Sequence, residues 1–421
     1  MNFEKKELDN GLRILSVPMK ETKATTILIT AAVGSRYEDE SVNGISHFLE
    51  HLFFKGTKKR PTAAEISHEL DSIGANYNAF TSEEMTGFFI QSAADKFLQS
   101  LDILVDILYN SRFPKPEVER EKGVIIEEIN MYKDNPMLYL GELSKEVLYP
   151  DQPLGWPVSG KKEAVANLNQ QKLIEFRTKH YTPGNMIISI AGAKNLDWET
   201  EVKKHMHQKA GKLSKGFERA EVFQQKPRML LHSRKTDQAH LFIGVKTFPR
   251  IDKRRPILKM INGILGGMMS SRIFYQIREK RGLAYYVSSE IDEYIDAGNF
   301  GVSTGIKVGK IQEVIEIILN EFDKIRKKKV PKGELDKAKE NYKGKMYLGL
   351  EDSLSVASFA TEQEIFWGEI KKPEQIVEEI EKVTPDDIIK LAGEIFISER
   401  LNLALIGPYK DENKFQKLLE I

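Results

Sequence analysis

Cysteine is absent from the sequence, which removes disulfides, thiolate metal ligands and cysteine nucleophiles from the range of explanations. An excess of either charge is absent too. The 63 basic and 62 acidic side chains leave a formal net charge of +1, so nothing draws the chain as a whole to nucleic acid or to an anionic membrane. The densest basic run, Lys324 to Lys329 (KIRKKK), is expected to be a solvated helix end or loop. No apolar run approaches the ~18 residues of a helical membrane span, and the opening MNFEKKELDNGLRILSV lacks the apolar region of a secretory signal. These absences predict a soluble, cytoplasmic protein with no nucleic-acid or membrane partner.

What is present is a chain of 421 residues, 41% of them hydrophobic, too long for one ordinary core and therefore expected to form two or more domains. Apolar alternation and apolar runs predict strands at residues 12–19, 23–33, 76–82, 85–92 and 185–192. Helical periodicity covers 45–55, 63–73 (with Thr62 as cap), 95–108, 116–131, 172–179 and 200–209. The polar stretch 211–227 reads as a linker. Beyond it the order of elements repeats, with strands at 240–248, 284–291 and 403–407 and helices at 254–265, 311–325 and 334–348. The predicted fold class is α+β: two homologous domains, each a mostly antiparallel sheet packed against helices. The domains are set at 1–215 and 228–421, with 216–227 between them.

The segment GISHFLEHLFFKGT, residues 44–57, carries the chemistry. On a helix, His47 and His51 lie one turn apart on the same face, so both imidazoles can reach one metal ion. Glu50 falls on the same side without having to ligate. The pattern H-x-x-E-H is the inverted zincin arrangement. It needs a third protein ligand and an open position for water, with the glutamate as general base. The competing reading is an apolar core helix that happens to contain two histidines, yet burying two imidazoles and a carboxylate without a partner is costly. The run EREKGVIIEEINMYKD, residues 119–134, offers the missing acid: Glu121 and Glu128 are seven apart and share a helical face. Spacing does not choose between Glu127 and Glu128, and taken alone the run fits a charged helix face.

These residues resemble those of the pitrilysin, insulinase and mitochondrial-processing-peptidase superfamily, in particular its short bacterial members, over essentially the full chain. The resemblance implies a processing-peptidase-like metallohydrolase fold and one zinc ion per chain, with His47, His51 and Glu128 as ligands and Glu50 as base. It implies a supporting role for Glu121, orienting a ligand. GANYNAFTSEEMTGFF is similar to the family's strand at the active-site edge, where substrate adds as an extra strand, with Asn78, Ala79 and Phe80 at that edge. REKRGLAYYV places Arg278 and Tyr285 on the family's Arg/Tyr pair, Tyr285 donating to the developing oxyanion. HYTPGNMIISIAG also follows the family pattern. The implied activity is zinc-dependent endopeptidase action on oligopeptides or unfolded segments, by a homodimer or a heterodimer with a related subunit that encloses a chamber. The rival is a non-catalytic scaffold or substrate-capture subunit of such a pair.

Two other features are given no role. GGMMSSRIF (266–274) lacks the Lys-Ser/Thr of a phosphate loop and is expected to be a tight helix boundary. His68, His180, His205, His207, His232 and His240 have no partner that the sequence identifies.

Overall fold

The computed structural model describes residues 2–206, 208–211 and 216–421. His207 and residues 212–215, at the end of the first expected domain, lie outside these. The chain divides into two compact units. One comprises Met1–Asn130, Trp156–Glu218 and Leu348–Lys372, the other Met131–Gly155, Arg219–Tyr347 and Pro373–Ile421.

The first unit is built on six strands: β1 (Glu4–Glu7), β2 (Arg13–Pro18), β3 (Ala24–Ala31), β4 (Asn76–Thr81), β5 (Thr86–Ala93) and β6 (Met186–Gly192). Their order is β1-β2-β6-β3-β5-β4. Only β2 and β6 run parallel; every other pair is antiparallel. The apolar runs of β3 and β6 occupy the centre and are buried along almost their whole length, as strands covered on both faces must be. β4 closes one end, with Asn76 and Asn78 exposed and its other residues half-buried. Around this sheet lie α1 (Ile45–Phe53), α2 (Ala63–Ser72), α3 (Phe97–Asn110) and α4 (Lys115–Asp134). Thr62 caps α2 as expected, with Glu65 returning the bond in a capping box. The helix expected at 200–209 ends at His205, because Met206 turns into the core and Asn10 takes the carbonyls of Met206 and Gln208.

The second unit repeats the plan with β7 (Arg228–Ser233), β8 (Gln238–Lys246), β9 (Ala284–Glu293), β10 (Gly298–Lys307) and β11 (Leu401–Gly407), in the order β7-β11-β8-β10-β9. Again one pair, β7 with β11, is parallel. The first sheet without β1 has this same topology, strand for strand. β10 carries three glycines within GNFGVSTGIK, which hid it from a reading by propensity. At Gly301 the reason is packing: a Cβ there would stand 1.9 Å from the Phe242 ring lying across the strand.

Each unit takes one helix from the other half of the sequence. α5 (Pro136–Leu148), capped by Asn135, packs on β8 and β11 of the second unit through Leu140, Leu143 and Val147 against Phe242, Ala404 and Ile406. The helix Ser353–Trp367 packs on β3 and β6 of the first. There Ser353 meets Thr26 at 2.8 Å, Thr361 meets Ser189 at 2.5 Å, and buried Glu364 pairs with Lys5 and Arg13. Gly266 and Gly267 close the helix Arg255–Leu265 by donating to the Asn262 carbonyl. The basic run at 324–329 ends the helix Ile311–Lys327, its cations paired with Glu321, Asp323 and Asp386. Among the described residues, no helix is long and apolar enough to cross a membrane.

Candidate metal centre

The helix α1 begins without a side-chain cap. Its N-cap is Gly44 at φ 95°, and a Cβ there would meet the Ser159 carbonyl oxygen at 2.7 Å and Gly160 Cα at 2.8 Å. Only glycine enters that corner without strain. The free N–H groups of the first turn are taken by Glu38 from outside the helix. Its Oε2 accepts from Gly44 N at 2.7 Å and from Asn43 Nδ2 at 3.1 Å, and its Oε1 accepts from Ser46 N at 2.9 Å. Burial pushes the Glu38 carboxyl up to about 7, against the pull of those donors. From this anchored start, Ile45, Phe48, Leu49, Leu52 and Phe53 turn into the core, and the helical period leaves His47, Glu50 and His51 on the opposite, half-buried face.

α4 supplies the other wall. Val118, Glu121, Ile125 and Ile129 form its buried stripe, and Glu128 stands two turns beyond Glu121. The neighbouring Glu127 is exposed and accepts from Asn130, which separates the two glutamates that spacing left equivalent. Nitrogens of His47 and His51 and a carboxylate oxygen of Glu128 all lie within 4.8 Å of one another. Among the described residues, this is the one group of three such side chains able to hold a metal. His47 Nε2 is 3.7 Å and His51 Nε2 3.5 Å from Glu128 Oε2, long for hydrogen bonds. Donors on a tetrahedral zinc with bonds of ~2.0–2.2 Å stand about 3.3–3.6 Å apart. The donor types and their spacing therefore fit zinc.

The surrounding charges favour a cation. His51 Nδ1 donates to Glu121 Oε1 at 3.0 Å, which directs the other ring nitrogen towards Glu128. Glu121 is almost fully buried, and its second oxygen pairs with Lys55 at 2.9 Å. Burial alone would lower the His51 pKa, but Glu121 and Glu128 outweigh it and carry the imidazole to about 9. Burial, with the neighbouring His51, lowers His47 to about 4. Contact with His51 holds Glu128 below the usual carboxylate range despite burial. For Glu121, burial is overcome by His51 and Lys55. Glu50 moves the other way: burial raises it, and a 2.6 Å hydrogen bond donated by Thr81 only partly offsets that.

The fold brings together five of the residues singled out in the sequence: His47, His51 and Glu128 as the cluster, Glu50 beside it on α1, and Glu121 behind His51. Asn78, Ala79 and Phe80 lie on β4, the last strand of the sheet. In the second unit, Arg278 and Tyr285 meet each other, the guanidinium 5.9 Å from the centre of the phenol ring. Between the pairs Gly305↔Tyr286 and Ile306↔Ala284 the register of β9 slips by one. Tyr285 is thus the extra residue of a bulge, and its side chain is 79% exposed. Bulges re-aim side chains in this way. Glu38, Lys55 and Thr81 carry no signal at the level of motif. The missing side-chain cap at Gly44 was the one hint that an outside acceptor such as Glu38 must exist. The remaining described histidines stand apart from the cluster: His68 is exposed on α2, His180 is buried with its ring tilted against Phe176 and neither ring nitrogen hydrogen-bonded among the described residues, and His205 bonds to the Glu201 carbonyl. His232 meets Tyr139 edge-on, and His240 bonds to the Tyr286 hydroxyl.

Comparison with known proteins agrees with this architecture. Residues 13–162 match the family model described as insulinase (Peptidase family M16), and residues 167–342 that of the peptidase M16 inactive domain. An uncharacterized zinc protease of Streptomyces coelicolor is 34% identical over 414 residues, covering 96% of this chain and 89% of its own. The uncharacterized zinc protease YmxG of Bacillus subtilis is 34% identical over 401 residues, covering 95% and 97%. A crystal structure of a protease from Helicobacter pylori shares the fold with a TM-score of 0.89 at 23% identity, over 97% of this chain and 99% of that one. The chain therefore belongs to the insulinase family of peptidases, peptidase family M16.

Proposed function

We propose that this chain is a zinc-dependent endopeptidase acting on oligopeptides or unfolded segments. The observation that carries the reading is the three-donor cluster, with one further carboxylate, Glu50, held on the same helix face. His47, His51 and Glu128 would hold one zinc per chain, which when bound supplies a Lewis acid for a peptide carbonyl and lowers the pKa of water. Glu50 takes a proton from the attacking water and passes it to the leaving amine nitrogen as the C–N bond breaks. Its burial-raised pKa suits a group that must both accept and return a proton. Glu121 fixes the His51 ring through Nδ1.

Substrate adds to β4 as a further strand along Asn78, Ala79 and Phe80, so that backbone pairing admits varied sequences. Tyr285 donates its phenolic O–H to the developing oxyanion, and Arg278 orients Tyr285 or the substrate. The chain works in the cytoplasm as a pair, with a copy of itself or with a related subunit, around a chamber too narrow for folded proteins.

The test is cleavage of a quenched, unstructured peptide library by zinc-loaded protein, beside its Glu50→Gln variant, with zinc counted in both. Cleavage by the wild type alone, at about one zinc per chain in both, is the expected result. Zinc in both and cleavage by neither, alone or paired, would replace this reading with the non-catalytic subunit.

A further inference from the structure

A glutamate on a helix surface reaches its target through three rotatable bonds and loses considerable freedom when held in one pose. Glu50 is held at a single point. Its Oε2 accepts the 2.6 Å hydrogen bond from Thr81 Oγ1, and among the described residues no other hydrogen bond reaches that carboxyl. Thr81 is the last residue of β4 and pairs with Thr86 of β5. The strand alternates, so Thr81 shares a face with Tyr77 and Ala79, which pack against the core that α1 also enters. The position of the hydroxyl is thus fixed by the sheet, independently of the helix that carries Glu50.

We propose that Thr81 is a positioning residue for Glu50, clamping one carboxylate oxygen so that the other is presented to the reacting water. The proposal rests on the peptidase reading above. It also joins two parts of the site: the strand that would pair with substrate ends in the residue that orients the base. Substrate docking and base orientation are then set by one rigid element, the condition under which positioning contributes most to rate. A hydroxyl that merely satisfied itself could do so with a backbone carbonyl, as Thr86 does with the carbonyl of Val33. Thr81 is directed at a side chain with catalytic chemistry instead.

The test compares Thr81→Val, which keeps the shape and removes the hydroxyl, with Thr81→Ser, which keeps the hydroxyl. Zinc content and melting temperature are measured on each zinc-loaded protein. In Thr81→Val, kcat should fall roughly tenfold or more while KM stays within about twofold, the signature of an interaction made in the transition state. Thr81→Ser should restore kcat to within about threefold of wild type, a residual loss well under the ~1.4 kcal/mol that a factor of ten represents. Zinc and melting temperature should not change.

A Thr81→Val enzyme as fast as wild type would overturn the proposal. So would equal losses in both variants, or a loss that follows zinc content or melting temperature, since these report a structural role. If the wild type itself cleaves nothing, the peptidase reading fails, and crystal structures of the two variants decide the clamp separately. A Glu50 carboxylate that turns away in Thr81→Val and stays in Thr81→Ser supports it. One that is unmoved in both overturns it.

Discussion

Apart from β1, the two sheets have the same strand order and the same single parallel pair, yet among the described residues only the first unit gathers three metal donors. The difference can be followed residue by residue. α1 buries Phe48, Leu49, Leu52 and Phe53, and the helix Arg255–Leu265, which follows β8 as α1 follows β3, buries Met260, Ile261, Ile264 and Leu265 with the same spacing. Aligned on those residues, the places of His47, Glu50 and His51 are taken by Lys259, Asn262 and Gly263. Lys259 pairs with Glu293, and Asn262 accepts from the Ser289 hydroxyl. Likewise α4 and the helix Lys332–Gly349, matched at their first residues, place Ala338 opposite Glu121 and Lys345 opposite Glu128. One scaffold thus serves two ends: the apolar residues that build the unit are kept in both, while the other positions of the same helices, Glu121 in the buried stripe of α4 among them, are free to differ. A metal centre here is a property of a helix face and not of the fold.

Writing the second unit's residues into the first should break the comparison, and the largest effect is expected at the donors. His51→Gly should reduce zinc from about one per chain to near zero, read by elemental analysis after dialysis. The same variant should lose the rise in melting temperature that added zinc gives the wild type, because a ligand stabilises only a state that binds it. Next is Glu121→Ala, the residue found at the matching place. It leaves Lys55 without its partner and the His51 ring without its acceptor, so zinc affinity should fall by roughly 10- to 100-fold in a competition titration with a chromophoric chelator.

A smaller effect is expected at the start of α1. Gly44→Ala forces a side chain into positive φ and against the Ser159 carbonyl, costing about 2 kcal/mol in denaturant unfolding. The corresponding N-cap in the second unit is Arg254 at φ −82°, where alanine should be accommodated without backbone strain. The smallest effect concerns pH. Glu38 is held near 7 in the folded unit against an ordinary value of 4.5, so the folded state binds the proton more tightly than the unfolded one. Stability from this group is full below about pH 4.5 and is lost as pH rises towards 7. Glu38→Gln should therefore flatten that slope in pH-dependent unfolding, whatever its effect on absolute stability.

The sequence made legible what depends on local spacing. His47, Glu50 and His51 announce a shared helix face, β3 and β6 announce buried strands, and Thr62 with Glu65 announces a helix start. What it did not show depends on packing between distant segments. β10 looked unlike a strand because of its glycines, of which Gly301 and Gly305 make room for the rings of Phe242 and Tyr286. α5 and the helix Ser353–Trp367 gave no sign that each would complete the unit of the other half. Glu127 and Glu128 were equivalent by spacing; resemblance pointed to Glu128, and the buried stripe of α4 sets the helix rotation that leaves Glu127 exposed. Thr81 stood in a run of ordinary strand residues, and only its 2.6 Å contact with Glu50 distinguishes it. Resemblance pointed to Tyr285, but the bulge that exposes it is a matter of register with β10, which no local pattern encodes.

The most direct test of the central claim is the position of the metal itself. Crystals of the zinc-loaded chain, measured on both sides of the zinc absorption edge, should give one anomalous peak per chain about 2.0–2.2 Å from His47 Nε2, His51 Nε2 and a Glu128 oxygen. A peak held by any other set of side chains, or no peak at saturating zinc with these three side chains ordered, would contradict the account.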